Sequence, residues 1–319
     1  MRAVGIILAG GNNNRMKELT HKRAVAAMPI AGSYRSIDFA LSNMTNSHIQ
    51  KVAVLTQYNA RSLNEHLNSS KWWNFGRKQG GLYVFTPTIT NDNGYWYRGT
   101  ADAIYQNMDF LKKSHEPYVV IASGDAVYKM DYSKVLQYHI DKKADVTVVC
   151  KEMDPSDDVS RFGTIRMDDD MRITEFEEKP MVTKSNMIST GIYVIRRRLL
   201  IDLIEHAAEE ERFDFVNDVL IRYKNLKKIY GYKIDHYWSN IATVDAYYKT
   251  NMDFLKPEVR NYFFKQDPEI YSKVSDLPPA KYNPGASVKN SLVGSGSIIN
   301  GTVENSVIFK QVFVGNNCV

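Results

Sequence analysis

The chain has 319 residues, a formal net charge of +5, 44% hydrophobic residues and two cysteines. That length fits two domains around a sizeable core, and so small a charge excess carries no nucleic-acid footprint while suiting phosphorylated small molecules. Cys150 and Cys318 cannot build a disulfide framework and lack metal-ligand spacing; with no membrane-length apolar run and no signal-peptide pattern, a soluble, cytoplasmic protein that binds neither nucleic acid nor membrane is expected.

The chain opens on a strand. Val4, Gly5, Ile6, Ile7, Leu8 and Ala9 show no polar alternation, which predicts a central strand buried on both faces. Gly10 and Gly11 then allow a sharp turn and close approach of backbone to a ligand. Asn12, Asn13 and Asn14 tolerate unusual backbone angles, and Arg15 adds a fixed cation. A glycine turn at the carboxyl end of a parallel strand leaves N–H groups where phosphates bind in open α/β sheets. A glycine turn that holds no ligand has the same residues. Neither G-x-G-x-x-G nor Gly-Lys-Ser/Thr follows, which argues against the usual dehydrogenases and ATPases.

Leu19 to Pro29 reads as a loop carrying the adjacent cations Lys22 and Arg23. Ile37, Leu41 and Met44 share one helical face, Lys51 to Thr56 is a short buried strand, and Ala60 to Leu67 is the next helix. Trp72 to Trp96, with Asn91 to Gly94 inside it, is an excursion of loops and short strands. Thr100 is expected to cap a helix running through Leu111, with Ile104, Met108 and Leu111 inward. Tyr118 to Ala122 is a second apolar strand and ends in Ser123, Gly124 and Asp125. Strands alternating with helices predict a doubly wound, mostly parallel α/β sheet.

Beyond Ala144, short strands are expected at Val146–Cys150, Thr164–Met167, Ile173–Phe176 and Gly191–Ile195, as a small mixed sheet over the nucleotide-binding half. Arg197–Ala207 and Thr243–Leu255 read as helices. Pro257 to Lys281 holds four prolines and no clear period, as a linker would. From Gly285 onward Val288, Val293, Ile298, Val303 and Ile308 recur every five residues, with Gly294, Gly296, Gly301 and Gly315 at turns. Such spacing resembles a parallel β-helix of the hexapeptide type, each rung facing the core with one aliphatic residue; a β-meander is the alternative. The organisation is therefore 1–256, a linker at 257–284, and 285–319. About two coils are fewer than such a solenoid normally needs, so either a longer chain or another surface is expected to cover the end at Cys318 and Val319.

Asp125 is the strongest single candidate for chemistry. A carboxylate at the carboxyl end of a buried strand sits in the sheet's ligand crevice, where it can hold Mg²⁺ together with substrate phosphates; it can equally be a turn or helix cap. Lys179 follows a strand and precedes Pro180, yet a single lysine is usually a solvated charge. Gln57 can read a base edge or be a plain loop residue, and Trp72, Trp73 and Trp238 fit core or interface better than ligand stacking.

Taken in order, Leu8 to Gly11, Arg15, Thr56 to Tyr58, Gly99 to Ala103, Gly124 with Asp125, Phe176 to Pro180 and Gly191 to Tyr193 are more specific together than singly. They resemble the sugar-nucleotide pyrophosphorylases, and within them the bacterial glucose-1-phosphate adenylyltransferases. Tyr34–Arg35, Ile37–Phe39, Leu41–Asn43, Asn46–Ser47, Phe162–Gly163 and Tyr237–Trp238 extend the likeness over essentially the whole chain. The resemblance implies a Rossmann-like nucleotidyltransferase domain followed by a left-handed β-helix. It implies transfer from ATP to glucose 1-phosphate, giving ADP-glucose and pyrophosphate for glycogen synthesis, with Mg²⁺ and fixed cations in place of a covalent nucleophile. Gly10, Gly11 and Arg15 would then face the nucleotide phosphates, Gln57, Gly99 and Thr100 would lie near adenine, and Leu8, Ala9 and Ala101 would belong to the same nucleotide site. Asp125 would hold the metal, and Gly163, Glu178, Lys179 and Ser189 the sugar phosphate, with Arg15, Asp125 and Lys179 as the catalytic set. Lys22 falls where that family places an activator contact.

The departures point further. The family's Gly-Thr-Arg turn is Asn13-Asn14-Arg15 here, a phosphate-facing lysine is Val25, and the second metal carboxylate is Asn240. An amide oxygen holds a hard cation less well than a carboxylate. If each lost charge withholds about 3 kcal/mol from the transition state, chemistry slows by roughly four orders of magnitude. The pattern resembles the weakly catalytic or regulatory subunit type that pairs with a catalytic subunit in a hetero-oligomer, expected to be a tetramer. An enzyme active alone (including as a homo-oligomer), or one using another sugar or base, are the competing readings.

Overall fold

The computed structural model describes residues 2–11, 14–76, 80–88 and 94–319. In chain order, the first part comprises β1 (Ala3–Ala9), a short ribbon of β2 (Pro29–Ile30) and β3 (Tyr34–Arg35), α1 (Ser36–Asn46), β4 (Lys51–Thr56) and α2 (Arg61–Leu67). It continues with β5 (Gly81–Phe85), α3 (Thr100–Gln106), α4 (Met108–Lys112), β6 (Tyr118–Ser123) and β7 (Ala126–Tyr128). Asn12, Asn13 and Asn91 to Asn93 lie outside the described residues.

β1 lies between β4 and β6 and is parallel to both, with Ala9 opposite Thr56 and Leu8 opposite Ser123. The unbroken apolar run of β1 follows from burial on two faces. Ile7, Val52 and Val54 pack with α1 and α2 on one side, whereas Val4, Ile6, Ala53 and Leu55 pack with α3, α4 and a later helix on the other. Because the three strands run the same way in register, the residues after Ala9, Thr56 and Ser123 emerge along one edge of the sheet.

The second part holds α5 (Tyr132–Asp141), β8 (Val146–Glu152), β9 (Gly163–Met167), β10 (Ile173–Glu178), β11 (Met187–Arg196), α6 (Arg197–Glu209), β12 (Ile229–Ile234), β13 (Trp238–Asn240), α7 (Val244–Asp253) and α8 (Pro257–Phe264). The strands expected as a separate small sheet instead continue the first one. β11 pairs antiparallel with β6, and through β11 the strands β8, β9, β10 and β12 complete nine strands in one mixed α/β sheet. Ten residues long, β11 is long enough to serve β6, β8 and β9 at once.

Two further expectations are corrected. The helix from Thr100 breaks at Asn107, whose side-chain amide donates to Ala103 O and Tyr97 Oη, both at 2.9 Å; an Asn bonding back onto its own helix and to a loop competes with the helical ladder. Residues 257–264 of the expected linker form α8, which opens on a proline at a first-turn position where its missing N–H costs nothing. α8 buries Phe263 against Phe39, Tyr237 and Phe254. Trp73 and Trp238 are buried, in keeping with a core role.

The last elements are β14 (Lys281–Tyr282), β15 (Ser287–Lys289), β16 (Leu292–Val293), β17 (Ile298–Ile299), β18 (Thr302–Glu304), β19 (Val307–Ile308) and β20 (Phe313–Val314). They pair only in parallel, Val288 with Val303, Val293 with Ile308 and Ile298 with Phe313, so that fifteen residues return the chain to the same face. The arrangement is β-helix-like. Inward positions follow the five-residue series only in part: Val303 is buried as expected, but so is Ile299, while Val288 and Ile298 are exposed. In a two-residue strand neighbouring side chains point opposite ways, so Ile299 fills the place expected of Ile298. Leu292 and Phe309 pack against the cluster containing Ile30, Phe39 and Phe263, which seats the coils on the first part of the chain. Among the described residues no helix is long and apolar enough to cross a membrane.

Candidate functional site

The shared edge of β1, β4 and β6 opens into a cleft of about 780 Å³, a volume suited to a small-molecule ligand. Leu8, Ala9, Gly10, Gly11 and Arg15 form one wall, Gln57 and Tyr97 to Thr100 another, and Ser123 and Asp125 lie between them. Lys179, Gly191, Tyr193, Phe215 and Asn240 close the remaining side. Residues far apart in sequence meet here because β1, β4 and β6 end along one edge of the sheet.

Asp125 is fixed from two directions. Ser123 Oγ donates to its Oδ1 at 2.5 Å, and the Ile241 amide donates to its carbonyl at 2.9 Å. The second bond extends the antiparallel pairing of β7 with β13, in which Asn240 faces Ala126. Asn240 therefore lies beside Asp125, but its Oδ1 accepts from the Ala242 amide at 3.0 Å. Both donor atoms are hard oxygens, and Mg²⁺ needs only one or two carboxylates when phosphates and water complete its shell. The two oxygens would suit Mg²⁺ brought in by a nucleotide, and of the pair only Asp125 would bring a charge to it. Among the described residues no group of three or more His, Cys, Asp or Glu is placed to bind a metal unaided.

On the second wall the expected base reader is engaged within the chain. Gln57 Oε1 accepts from the Tyr97 amide at 2.6 Å and Nε2 donates to Tyr97 O at 3.3 Å. Gln57 thus pins the 94–99 segment to the end of β4, and its remaining N–H and lone pair are what it can offer a ligand. Gly99 packs on Phe213 so closely that an added Cβ would lie 2.3 Å from Phe213 O. Thr100 is the first residue of α3 and not its cap; its Oγ1 accepts from the Phe215 amide at 2.9 Å. Ala101 is buried and donates its amide to Phe213 O at 2.8 Å, so it shapes the wall from behind.

On the far side, Lys179 has a left-handed backbone with φ 48° and pairs with Glu178 at 2.9 Å, while its amide donates to Phe162 O at 3.2 Å. Gly163 sits against Glu178, where an added Cβ would lie 2.9 Å from Oε2. Ser189 is buried, 3.2 Å from the Tyr193 hydroxyl, beside the bulge that interrupts the pairing of β11 with β8. Gly163, Glu178 and Ser189 stand behind the cleft surface that Lys179 and Tyr193 line. Lys22 is exposed and is not part of the cleft lining.

This arrangement can be set beside known proteins. A family model described as nucleotidyl transferase matches residues 4–257. The glucose-1-phosphate adenylyltransferase of Clostridium botulinum (strain Alaska E43 / Type E3) is 42% identical over 320 residues, which cover 99% of this chain and 82% of that protein. Its namesake from Clostridium novyi (strain NT) is 40% identical over 319 residues, covering 99% of this chain and 83% of the other. The protein of that name from Geobacillus stearothermophilus is 39% identical over 321 residues, covering 100% and 83%. The chain belongs to the glucose-1-phosphate adenylyltransferase family of nucleotidyl transferases.

Within this glucose-1-phosphate adenylyltransferase fold, Val25 lines the cleft while its side chain joins the apolar cluster of Met16, Met28 and Ile241, only 8% exposed. Position 25 thus presents hydrocarbon to the ligand space.

Phe215, Arg98 and Arg161 are among the lining residues that escaped the sequence reading. Phe215 stacks edge-on with Tyr193, with ring centroids 5.3 Å apart. Arg98 lies 3.7 Å over the Phe213 ring and pairs with Asp102. Arg161 donates to Thr243 Oγ1 at 3.1 Å and covers the Phe162 ring at 4.7 Å. Arg98 and Arg161 each adjoin a segment already singled out, Gly99 to Ala103 and Phe162–Gly163, and that adjacency was the available signal.

Proposed function

We propose that this chain is a subunit of a glucose-1-phosphate adenylyltransferase, holding ATP, glucose 1-phosphate or ADP-glucose in the cleft and turning over slowly by itself. Its full activity would come in a hetero-oligomer with a catalytic subunit of the same enzyme, in glycogen synthesis. The observation that carries this reading is Asn240 beside Asp125, with its oxygen turned onto the Ala242 amide. Asp125 is the only acidic residue among the described cleft-lining residues.

In the reaction an oxygen of the sugar phosphate attacks the α-phosphorus of the nucleotide, and the bond to the departing pyrophosphate breaks. Negative charge grows on the leaving group, so fixed cations and oriented N–H groups are the effective catalysts. Gly10 and Gly11 at the end of β1, with Arg15 on the same wall, are set to receive the triphosphate. Lys179, held by its backbone and by Glu178, is set to orient the sugar phosphate. Mg²⁺, when bound with the nucleotide, would neutralise phosphate charge beside Asp125. Val25 adds no charge to that set.

A chain active alone remains the second reading, favoured by the retention of Asp125, Lys179 and Arg15 in one cleft. The deciding experiment measures ADP-glucose synthesis by the purified chain alone and mixed with a catalytic subunit from the same cell, alongside ADP-glucose binding by the chain. Binding with little turnover alone, and a changed rate on mixing, is expected. Turnover near that of the catalytic subunit would sink the regulatory assignment, and absence of binding would sink the ligand assignment.

A further inference from the structure

The cleft carries more positive charge than the turn at β1 supplies. Among the described residues its lining holds four cations, Arg15, Arg98, Arg161 and Lys179, against the single acid Asp125. Arg98 is paired with Asp102, and Lys179 with Glu178. Arg161 differs. Among the described residues no carboxylate lies within ion-pair distance of it, and its one hydrogen bond is to Thr243 Oγ1, leaving most of five guanidinium donors for another partner.

Its position is set from two sides. The turn closed by the Phe162 amide on Val159 O, 3.0 Å, carries Arg161 up to the cleft, where it covers the Phe162 ring. Thr243 Oγ1, which also accepts the Ala246 amide at the start of α7, holds one end of the guanidinium. The anchor comes three residues after Asn240, so Arg161 bridges the Lys179 side of the cleft and the Asn240 side. Burial makes its charge harder to keep and Arg15 adds repulsion, while Asp158, Asp125 and Asp157 act the other way. With donors to spare at the cleft surface, the Arg161 guanidinium is placed to meet an anionic ligand there.

We propose that Arg161 is a phosphate-binding residue of this cleft, supplying from the β8–β9 loop positive charge that Val25 does not supply. The inference rests on the reading that the cleft takes nucleotide and sugar phosphates, and adds a residue and a direction of approach to it. The phosphate belongs either to the nucleotide or to the sugar phosphate.

The test is calorimetric titration of the full chain with ADP-glucose, ATP plus Mg²⁺ and glucose 1-phosphate, over a range of salt concentrations. Arg161→Ala should weaken ADP-glucose binding by about ten- to a hundredfold and flatten its salt dependence, as loss of a charge-assisted bond requires. Arg161→Lys should recover part of the affinity. A loss confined to ATP assigns the nucleotide phosphates, and one confined to glucose 1-phosphate assigns the sugar phosphate. Wild-type affinity in a folded Arg161→Ala protein overturns the inference, as does weaker binding with an unchanged salt dependence. If the wild-type chain binds none of the three, the proposed function fails and this inference fails with it.

Discussion

The backbone amide of Ile241 donates to the carbonyl of Asp125 at 2.9 Å, joining two segments 116 positions apart in the sequence at the floor of the cleft. This bond holds the backbone of Asn240 next to that of Asp125, and both residues line the cleft.

Val25→Lys combined with Asn240→Asp should raise ADP-glucose synthesis by roughly two to four orders of magnitude, far beyond either change alone. Aspartate can keep the bond from Ala242 with one oxygen and offer the other beside Asp125. Lysine takes a buried valine out of the Met16–Met28 cluster, and its ammonium must reach the cleft if the variant is to avoid a buried charge. Adding Asp125→Asn should erase the gain. A folded double variant with no gain would place the defect elsewhere, with Asn13 and Asn14 next.

Gly99→Ala is expected to disturb the nucleotide wall. Its new Cβ meets a backbone carbonyl, Phe213 O, which cannot rotate aside as a side chain could. Urea unfolding should show a loss of about 1–3 kcal/mol, and ATP affinity should fall with it. An unchanged midpoint with unchanged affinity would contradict this account of the wall.

Gln57→Ala should loosen the same wall from the other end. Both bonds from Gln57 to Tyr97 go to the Tyr97 backbone, so the variant loses the tie without altering Tyr97 itself. Faster protease cleavage near 94–98 and weaker nucleotide binding are expected; unchanged cleavage would argue against the tie.

How much of this was legible beforehand depended on whether a residue's role was local. β1 announced itself because burial on two faces forbids polar alternation, and Asp125 because it follows such a strand. The fusion of the later strands into one sheet was hidden, since pairing of β11 with β6 is a long-range event that no local pattern records. α8 was masked by the prolines around it, although Pro257 at its first turn is itself a start signal. Gln57 looked available to a base because its partner, the Tyr97 backbone, carries no sequence signature. Arg161 went unnoticed because a lone arginine in a loop becomes conspicuous only when it is seen to line the cleft.

A pH dependence should come from His139. Burial, with a smaller contribution from Arg196, lowers its imidazole from an ordinary 6.5 to about 4. The unfolded chain thus takes up this proton first. The stabilisation is complete above pH 6.5 and is lost as pH falls toward 4, at up to about 1.4 kcal/mol per pH unit. His236 is shifted the same way, so the measurement is the difference between wild type and His139→Gln, which can still bond Thr147. Parallel stability curves for the two proteins between pH 4 and 6.5 would refute the assignment.

The fifteen-residue return of the terminal coils makes length a modular quantity there. Inserting or removing one whole turn of the chain shifts everything beyond it by one strand spacing, about 4.8 Å, without rotating any face. A change of five residues would instead turn each later side chain to the neighbouring face, carrying Leu292 or Phe309 away from the cluster they seat on. Relatives of this chain can thus grow or shrink at that end in steps of a full coil while keeping the seating surface. Insertions of other lengths must be absorbed in turns, such as those at Gly296 and Gly301.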